Sequence, residues 1–274
     1  MQRTITAPVF MIALAALTPR TGEGQTACKA PSPDCAVVGE WDLSVSLGLG
    51  ERSNPVKRAD DIPLVVVPQI SYYGRRFFLN NLELGYTLYE GEAHTVNVIA
   101  TPGYDRVFFV RDDPQNFFVT TAGGAMEGPL APEHRVGPRR TTWLTGVEWL
   151  WGRGPVAAQL NALYEATGRH KGYEVRAAAA APLLQTENSV VLSAGFTWKS
   201  AELVRYYYGI EALHEPGSAL NPFVKLGYTR ALSDRWAVNA FVHYERLGDA
   251  IAYSPIIADR GVTTIFAGAT LKIF

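Results

Sequence analysis

One pattern constrains this chain more than any other. Apolar and polar residues alternate one for one, over segments of about ten residues that recur along its length. In Trp41 to Gly50, the apolar positions are Trp41, Leu43, Val45, Leu47 and Leu49, while Asp42, Ser44, Ser46, Gly48 and Gly50 stand between them. Successive side chains of a strand point to opposite faces, so this is a strand with one apolar and one polar face. A soluble sandwich would turn the apolar face to a protein core. A membrane barrel would turn it to lipid.

The pattern returns in each later segment. Leu82, Leu84, Tyr86 and Leu88 alternate with Glu83 and Gly85, and Trp143, Thr145, Val147, Trp149 and Trp151 with Gly146 and Glu148. Val156, Ala158, Leu160, Ala162 and Tyr164 oppose Gln159, Asn161 and Glu165, and Tyr173, Val175, Ala177 and Ala179 oppose Glu174 and Arg176. Val190 to Trp198 alternates with Ser193, Gly195, Thr197 and Lys199; Val224, Leu226 and Tyr228 oppose Lys225. Trp236 to Tyr244 opposes Asn239, His243 and Glu245, and the end of the chain repeats the pattern from Thr264 to Ile273. About ten residues is the length a tilted strand needs to cross a bilayer.

Strands are predicted at 41–50, 62–73, 76–89, 94–110, 115–121, 141–151, 155–166, 172–183, 189–199, 222–231, 236–246 and 262–274. Pro102-Gly103 and Asp112-Asp113-Pro114 interrupt the fourth and fifth, which leaves ten strands as the alternative count. Links after even-numbered strands are short and most of the others are longer, as expected of periplasmic turns and extracellular loops. The links 74–75, 111–114, 152–154, 184–188 and 232–235 are read as periplasmic turns. Twelve strands put both ends of the barrel on the periplasmic side. Trp41, Tyr73, Tyr89, Trp149, Trp151, Trp198, Trp236 and Tyr244 fall near predicted strand ends, where aromatic girdles form at the two interfaces.

The first residues carry Arg3, an apolar run from Pro8 to Leu17 and then small and polar residues, which is a secretory signal peptide. It is expected to occupy 1–27, with earlier alanines competing for the cleavage site. A Pro-rich periplasmic leader follows at 28–40, and the barrel occupies 41–274. Cys28 and Cys35, the two cysteines of the chain, are placed to close one small disulfide loop in an oxidising compartment. No segment offers about 18 consecutive apolar residues, so a helical membrane protein is excluded. Charge is balanced, with 25 Lys and Arg against 26 Asp and Glu, so no basic footprint points to nucleic acid.

These features give an all-β fold class: a single transmembrane antiparallel β-barrel of about twelve strands, with short periplasmic turns and longer extracellular loops. The apolar face of WDLSVSLGLG is expected to meet lipid, in the outer membrane of a cell with two membranes. A last strand ending in Phe274, after Gly268, Leu271 and Ile273, resembles the C-terminal signal of such barrels.

Several stretches together resemble the MltA-interacting protein family of outer-membrane proteins, also called the MipA/OmpV family. They are SLGLGERSNP, DDIPLVVVPQISYYGRRFFLNNLELGYTLY, SAELVRYYYGIEA and NPFVKLGYTRALSDRWAVNAFVHYERLGDAIAYSPIIADRG. The most distinctive positions are Pro68, Tyr72, Arg76, Phe77 and Phe78; Tyr207, Tyr208 and Gly209; and Gly248-Asp249 with Ser254, Pro255, Ile256 and Ile257. Lys272-Ile273 stands where members commonly carry an aromatic residue and arginine before the final Phe. The resemblance implies an envelope scaffold that connects a lytic transglycosylase and a peptidoglycan synthase at the outer membrane. It carries no catalytic motif to transfer.

The inward set predicted by the alternation is Glu83, Glu148, Glu165, Glu174, Arg176, Lys199, Lys225, His243 and Glu245. Mixed charges of this kind fill a small barrel with paired side chains; the sharper reading makes them a path for small solutes. Nucleophile, metal and phosphate-loop motifs are absent and no cofactor is expected. A pair such as His243 with Ser254 would suit an outer-surface lipid hydrolase. Asp60-Asp61 and Asp112-Asp113 read as solvated turn acids, with calcium or a bridge to lipopolysaccharide as the alternative. Arg135, Arg139 and Arg140 read as loop charges, with lipopolysaccharide phosphate as the alternative partner. SAELVRYYY breaks the alternation: Ser200 caps a short helix with Leu203, Val204, Tyr207 and Tyr208 on one side, and the segment folds into the mouth as a lid or extends a strand above the membrane.

Overall fold

The computed structural model describes residues 38–109 and 139–273. Cys28, Cys35, Asp112, Asp113, Arg135, Phe274, the signal peptide and the predicted strand at 115–121 lie outside the described residues. Twelve antiparallel strands close into one barrel. They are β1 (Trp41–Arg52), β2 (Ile62–Tyr73), β3 (Phe77–Asn80), β4 (Glu83–Glu90), β5 (His94–Pro102), β6 (Trp143–Arg153), β7 (Val156–Glu165), β8 (Tyr173–Gln185), β9 (Asn188–Lys199), β10 (Ala219–Ala231), β11 (Trp236–Arg246) and β12 (Gly261–Lys272). Each strand pairs with its neighbours in sequence, and β1 pairs with β12 from Ser44 opposite Lys272 to Arg52 opposite Thr264. Closure leaves no free first or last edge, the condition for backbone polar groups to survive in lipid.

The alternation sorts every wall residue by solvent. Leu47 and Leu49 are 56% and 81% exposed on the outside, while Ser44 and Ser46 are buried within. A large apolar surface of this kind, with Val147, Leu160, Leu192, Val224, Leu226, Val242 and Ile265 also exposed, is stable only against acyl chains. Trp41, Trp149 and Trp236 ring one end of this belt, and Trp143, Tyr164, Tyr173 and Tyr244 the other. Tyr73, expected in the girdle, instead stacks on Phe78 at 6.2 Å, while its neighbour Tyr72 packs on Trp41 at the outer surface. Odd and even positions face opposite ways, and Tyr73 is out of phase with the outward row.

At several inward glycines of β1 and β12 an aromatic ring lies across the space that a side chain would take. A Cβ at Gly48, Gly50 or Gly268 would come within 2.7, 2.9 and 2.8 Å of the Phe266 ring. Phe266 stacks in turn on Phe241 at 5.8 Å and joins Leu64 and Val67 in an apolar patch. The wall is therefore stiffened from inside by side chains that the glycines admit. Prolines are accommodated where the ladder is already broken: Pro182 sits at the β8–β9 register shift, and Pro63 and Pro68 lie in the part of β2 that β3 does not reach.

The strand count of twelve is reached by a different route from the sequence reading. The predicted strand 76–89 is two strands, β3 and β4, because Asn81 turns the chain with φ 52°. Asn tolerates the left-handed region better than other non-glycine residues. The predicted strand 94–110 stops at Pro102 and continues as a 3-10 helix, Tyr104–Phe108. Consequently the connector from β5 to β6, read above as a periplasmic turn at 111–114, leaves from the outer end of the barrel. The turns at the opposite end are the short 74–76, 91–93, 154–155, 186–187 and 232–235. Two helices complete the described chain, α1 (Ala201–Tyr208) and α2 (Asp249–Ala252), and no described helix is long and apolar enough to cross a membrane.

Candidate functional site

The outer mouth is covered by an apolar cap assembled from four connectors. Val56 comes from the β1–β2 loop and Val107 and Phe108 from the 3-10 helix; Leu203, Val204, Tyr207 and Tyr208 come from α1, and Ile251, Ile256 and Ile257 from the β11–β12 loop. All are buried, and they pack on Ile62, Ala219 and Val262 at the upper ends of β2, β10 and β12. The segment SAELVRYYY thus forms the lid of the two readings given above. Its spacing supplies the face: residues 203, 204, 207 and 208 line one side of a helix. Ser200 occupies the N-cap position, but its hydroxyl makes no cap; it accepts from the Tyr173 amide at 3.1 Å and anchors the helix start to β8.

Polar links tie the cap together. Ser254 Oγ donates to the Tyr208 carbonyl at 2.6 Å, joining the two resemblance motifs Tyr207-Tyr208-Gly209 and Ser254-Pro255-Ile256-Ile257. Arg139 Nε donates to the Tyr207 carbonyl at 2.9 Å and its guanidinium to the Gly209 carbonyl at 3.3 Å, with the rings of Phe109 and Tyr206 beside it. Read above as a loop charge, Arg139 is a staple at the end of α1. Arg140 is exposed, and its amide donates to Tyr206 Oη at 3.1 Å. Asn54 Nδ2 donates to the Phe108 carbonyl at 3.3 Å, and the Asn54 amide donates to Asp61 Oδ1 at 2.8 Å. Asp61 is thereby a turn-forming acceptor.

Beneath the cap lies Asp105, in the 3-10 helix and almost wholly buried. Its Oδ1 receives Lys199 Nζ at 2.6 Å from the end of β9 and Tyr208 Oη at 2.6 Å from the end of α1. Burial by itself would raise the Asp105 pKa, but Lys199 and the Tyr208 hydroxyl outweigh it and hold the carboxyl below its ordinary range. Burial raises the Tyr208 hydroxyl well above its ordinary value, with the Asp105 charge adding to the shift.

The nine predicted inward residues occupy distinct surroundings. Glu148 accepts from Asn97 Nδ2 and Gln159 Nε2, each at 2.7 Å, and sits in cross-strand register with Asn97 and Asn161. Glu83 lies in the same charged region as Glu148 and Arg176. Glu174 pairs with Arg176, whose guanidinium lies 5.2 Å from the Tyr104 ring centre. Lys225 Nζ lies 4.6 Å from the Phe241 ring centre; His243, opposite Lys225 in register, packs on Phe223 at 5.4 Å. Glu245 accepts from Asn221 Nδ2 at 2.8 Å. Glu165 folds the loop above β7: it accepts from Thr167 Oγ1 and from the amides of Thr167, Arg169, His170 and Lys171. Glu83, Glu148 and Glu174 thus stand on the β4–β8 side, and Arg52, Lys225 and His243 on the β1, β10 and β11 side.

The structure does not bring His243 and Ser254 together. Ser254 Oγ is engaged with the Tyr208 carbonyl in the cap, while His243 belongs to the wall row with Lys225. Among the described residues, no group of three or more His, Cys, Asp or Glu gathers to hold a metal. Tyr72, Arg76 and Phe77 are not part of the site: Tyr72 and Phe77 lie on the outer surface, and the Arg76 carbonyl accepts from the Thr87 amide at the lower turn. Asp105, Arg52, Asn54 and the inward aromatics Phe223, Phe241 and Phe266 were missed in the sequence. Pro102-Gly103 before Asp105 was the available signal, since that pair ends a strand.

Among solved structures, the fold is similar to OmpTdeltaL8, the loop L8 deletion mutant of OmpT, an outer membrane protein of Vibrio cholerae, at 8% identity over 85% of this chain and 99% of that one, with TM-score 0.39. It is also similar to the anion-selective porin from Comamonas acidovorans, at 11% identity over 85% and 99%, with TM-score 0.37. Neisserial surface protein A matches at 10% identity over 85% and 97%, with TM-score 0.25. No curated protein matches in sequence. The family model described as MltA-interacting protein MipA matches residues 45–272, which takes in all of the wall but the first four residues of β1, together with the described cap. This chain is an outer-membrane-type β-barrel and belongs to the MltA-interacting protein MipA family.

Proposed function

We propose that the protein is exported, loses residues 1–27, and resides in the outer membrane as a non-enzymatic anchor for peptidoglycan-cleaving and peptidoglycan-synthesising enzymes. The carrying observation is the sealed outer mouth. Tyr207, Tyr208, Val107 and Ile251 are buried in one cluster across it, which supports the periplasmic rim as the working surface. That rim consists of the turns 74–76, 91–93, 154–155, 186–187 and 232–235; a 28–40 leader with paired Cys28 and Cys35 belongs to the same proposal. The family description names a partner, MltA, and a lytic transglycosylase with a peptidoglycan synthase is the partner class this reading adopts. Acyl chains and lipopolysaccharide surround the belt.

Co-purification tests the reading. The mature protein, extracted in mild detergent, is expected to retain a lytic transglycosylase, and substitutions at Arg75, Glu92 or Arg235 on the rim are expected to weaken that capture. Retention of no peptidoglycan enzyme by the folded wild type would reject it. The charged lumen favours a second reading, a narrow path for small solutes, which conductance in planar bilayers addresses.

A further inference from the structure

One buried carboxylate ties two connectors of the cap to a wall strand. Asp105 stands on the β5–β6 connector, Tyr208 on the β9–β10 connector and Lys199 at the end of a wall strand, and both partners converge on the same Asp105 oxygen at 2.6 Å. The other strong links inside the cap join loop to loop: Ser254 to Tyr208, Arg139 to Tyr207 and Gly209, Asn54 to Phe108. We infer that the cap is a gate, clamped shut by Asp105 against Lys199 and Tyr208, over a solute passage through the barrel.

The lumen below keeps partly exposed inward positions on one side, across from the apolar patch of Leu64, Val67, Phe241 and Phe266. The inward positions Ala178 on β8 and Ser193 on β9 are small and partly exposed, alongside the larger Glu174, Arg176 and Lys199. A barrel filled for stability alone would carry bulky side chains at those positions. The clamp also has the energetics of a switch. A buried ion pair tolerates its own desolvation only while both partners are present, and loss of one leaves the other buried and uncompensated. Neutralising Asp105 therefore destabilises the docked position of the 3-10 helix and of α1 together, because Lys199 and Tyr208 lose the same acceptor. The apolar contacts and the Ser200 link to β8 then hold a lid that has lost its charged tie to the wall, and the open population rises.

The test is single-channel recording of the purified full-length mature protein in planar bilayers with potassium chloride. The wild type is expected to remain closed for nearly all of the record. Asp105→Asn and Lys199→Met are each expected to raise the open fraction at least tenfold, and Tyr208→Phe, which removes one hydroxyl and no charge, by a smaller factor. Heat-modifiable gel migration shows that each variant has folded its barrel; if the charge variants do not fold, Tyr208→Phe alone decides. Folded variants that stay as closed as the wild type overturn the inference, as does a wild type that conducts freely. Variants that stay closed leave the anchor reading untouched; a wild type that conducts freely also removes the closed mouth that supports it, and capture of peptidoglycan enzymes then decides that reading by itself.

Discussion

The wall and the cap bury apolar surface in opposite directions. In the wall, Leu47, Val147 and Leu226 face outward and the polar residues face inward, so the favourable medium for the apolar row lies outside the protein. In the cap, Leu203, Val204 and Tyr208 face one another and are almost wholly buried, so the favourable medium is the protein itself. The wall is held by ladders between neighbours in sequence. The cap is held by contacts between connectors far apart in sequence, such as Asp105 with Tyr208. Two stabilities that differ in origin should be separable by substitution.

The largest separable effect is expected in the cap. Leu203→Ala removes a side chain that is 1% exposed, and large-to-small changes of this kind cost about 2–5 kcal/mol. Hydrogen exchange of the 201–210 amides should quicken while heat-modifiable migration stays intact; loss of the barrel as well would erase the distinction between the two regions. The converse change is Val147→Arg, which places a charge on the outward face of β6. A cationic side chain near the middle of the belt costs about 2–4 kcal/mol of folding free energy in a bilayer. Denaturant unfolding in vesicles measures it, and cap exchange should change only after the barrel itself is lost.

Acid sharpens the comparison further. The Asp105 carboxyl is held below its ordinary value, so its contribution is present above the unfolded-state pKa of about 3.9 and is lost as pH falls through the lower folded value. Lys199, Tyr208 and His170 act on it from β9, α1 and the β7–β8 loop, and Arg52 from β1. None of them loses its positive charge on acidification, and Tyr208 is protonated throughout. His170, whose pKa burial lowers, gains charge as pH drops and favours the ionised carboxylate. Exchange at α1 should therefore remain slow through neutral and mildly acidic pH and quicken below about pH 4; an Asp105→Asn variant should show no such step.

The smallest expected effect lies at the seam where the barrel closes. Lys272 Nζ and Asp42 Oδ2 pair at 3.0 Å, but their side chains are 26% and 38% exposed. Exposed pairs contribute about 0–1 kcal/mol, so Lys272→Ala should leave the denaturant midpoint nearly unchanged, since the β1–β12 ladder carries the seam.

The wall was legible because alternation is a local signal: each residue's neighbours two positions away disclose its face. The nine ionisable residues from Glu83 to Glu245 could be placed on one side of their strands for that reason. The same signal misled where a turn preserved the phase. Phe77 to Tyr86 reads as one continuous strand, yet Asn80-Asn81 turns it into a hairpin in which Phe78 and Gly85 still face each other. A pair of asparagines is itself a turn signal, and the apolar rhythm around it outweighed it in the reading. In the site, α1 was legible from its helical spacing inside a strand-rich chain, whereas Asp105 was absorbed into a predicted strand.

Sequence alone settled the all-β class and which residues of each strand share a face, because both follow from the side-chain period of a few consecutive residues. Tertiary structure decided which connectors share the mouth, that Asp105 meets Lys199 and Tyr208, and that Ser254 serves Tyr208 instead of His243. Those meetings exist only because closing β1 onto β12 gathers the outer ends of all twelve strands into one ring. No periodicity within a connector records which other connector the ring will set beside it.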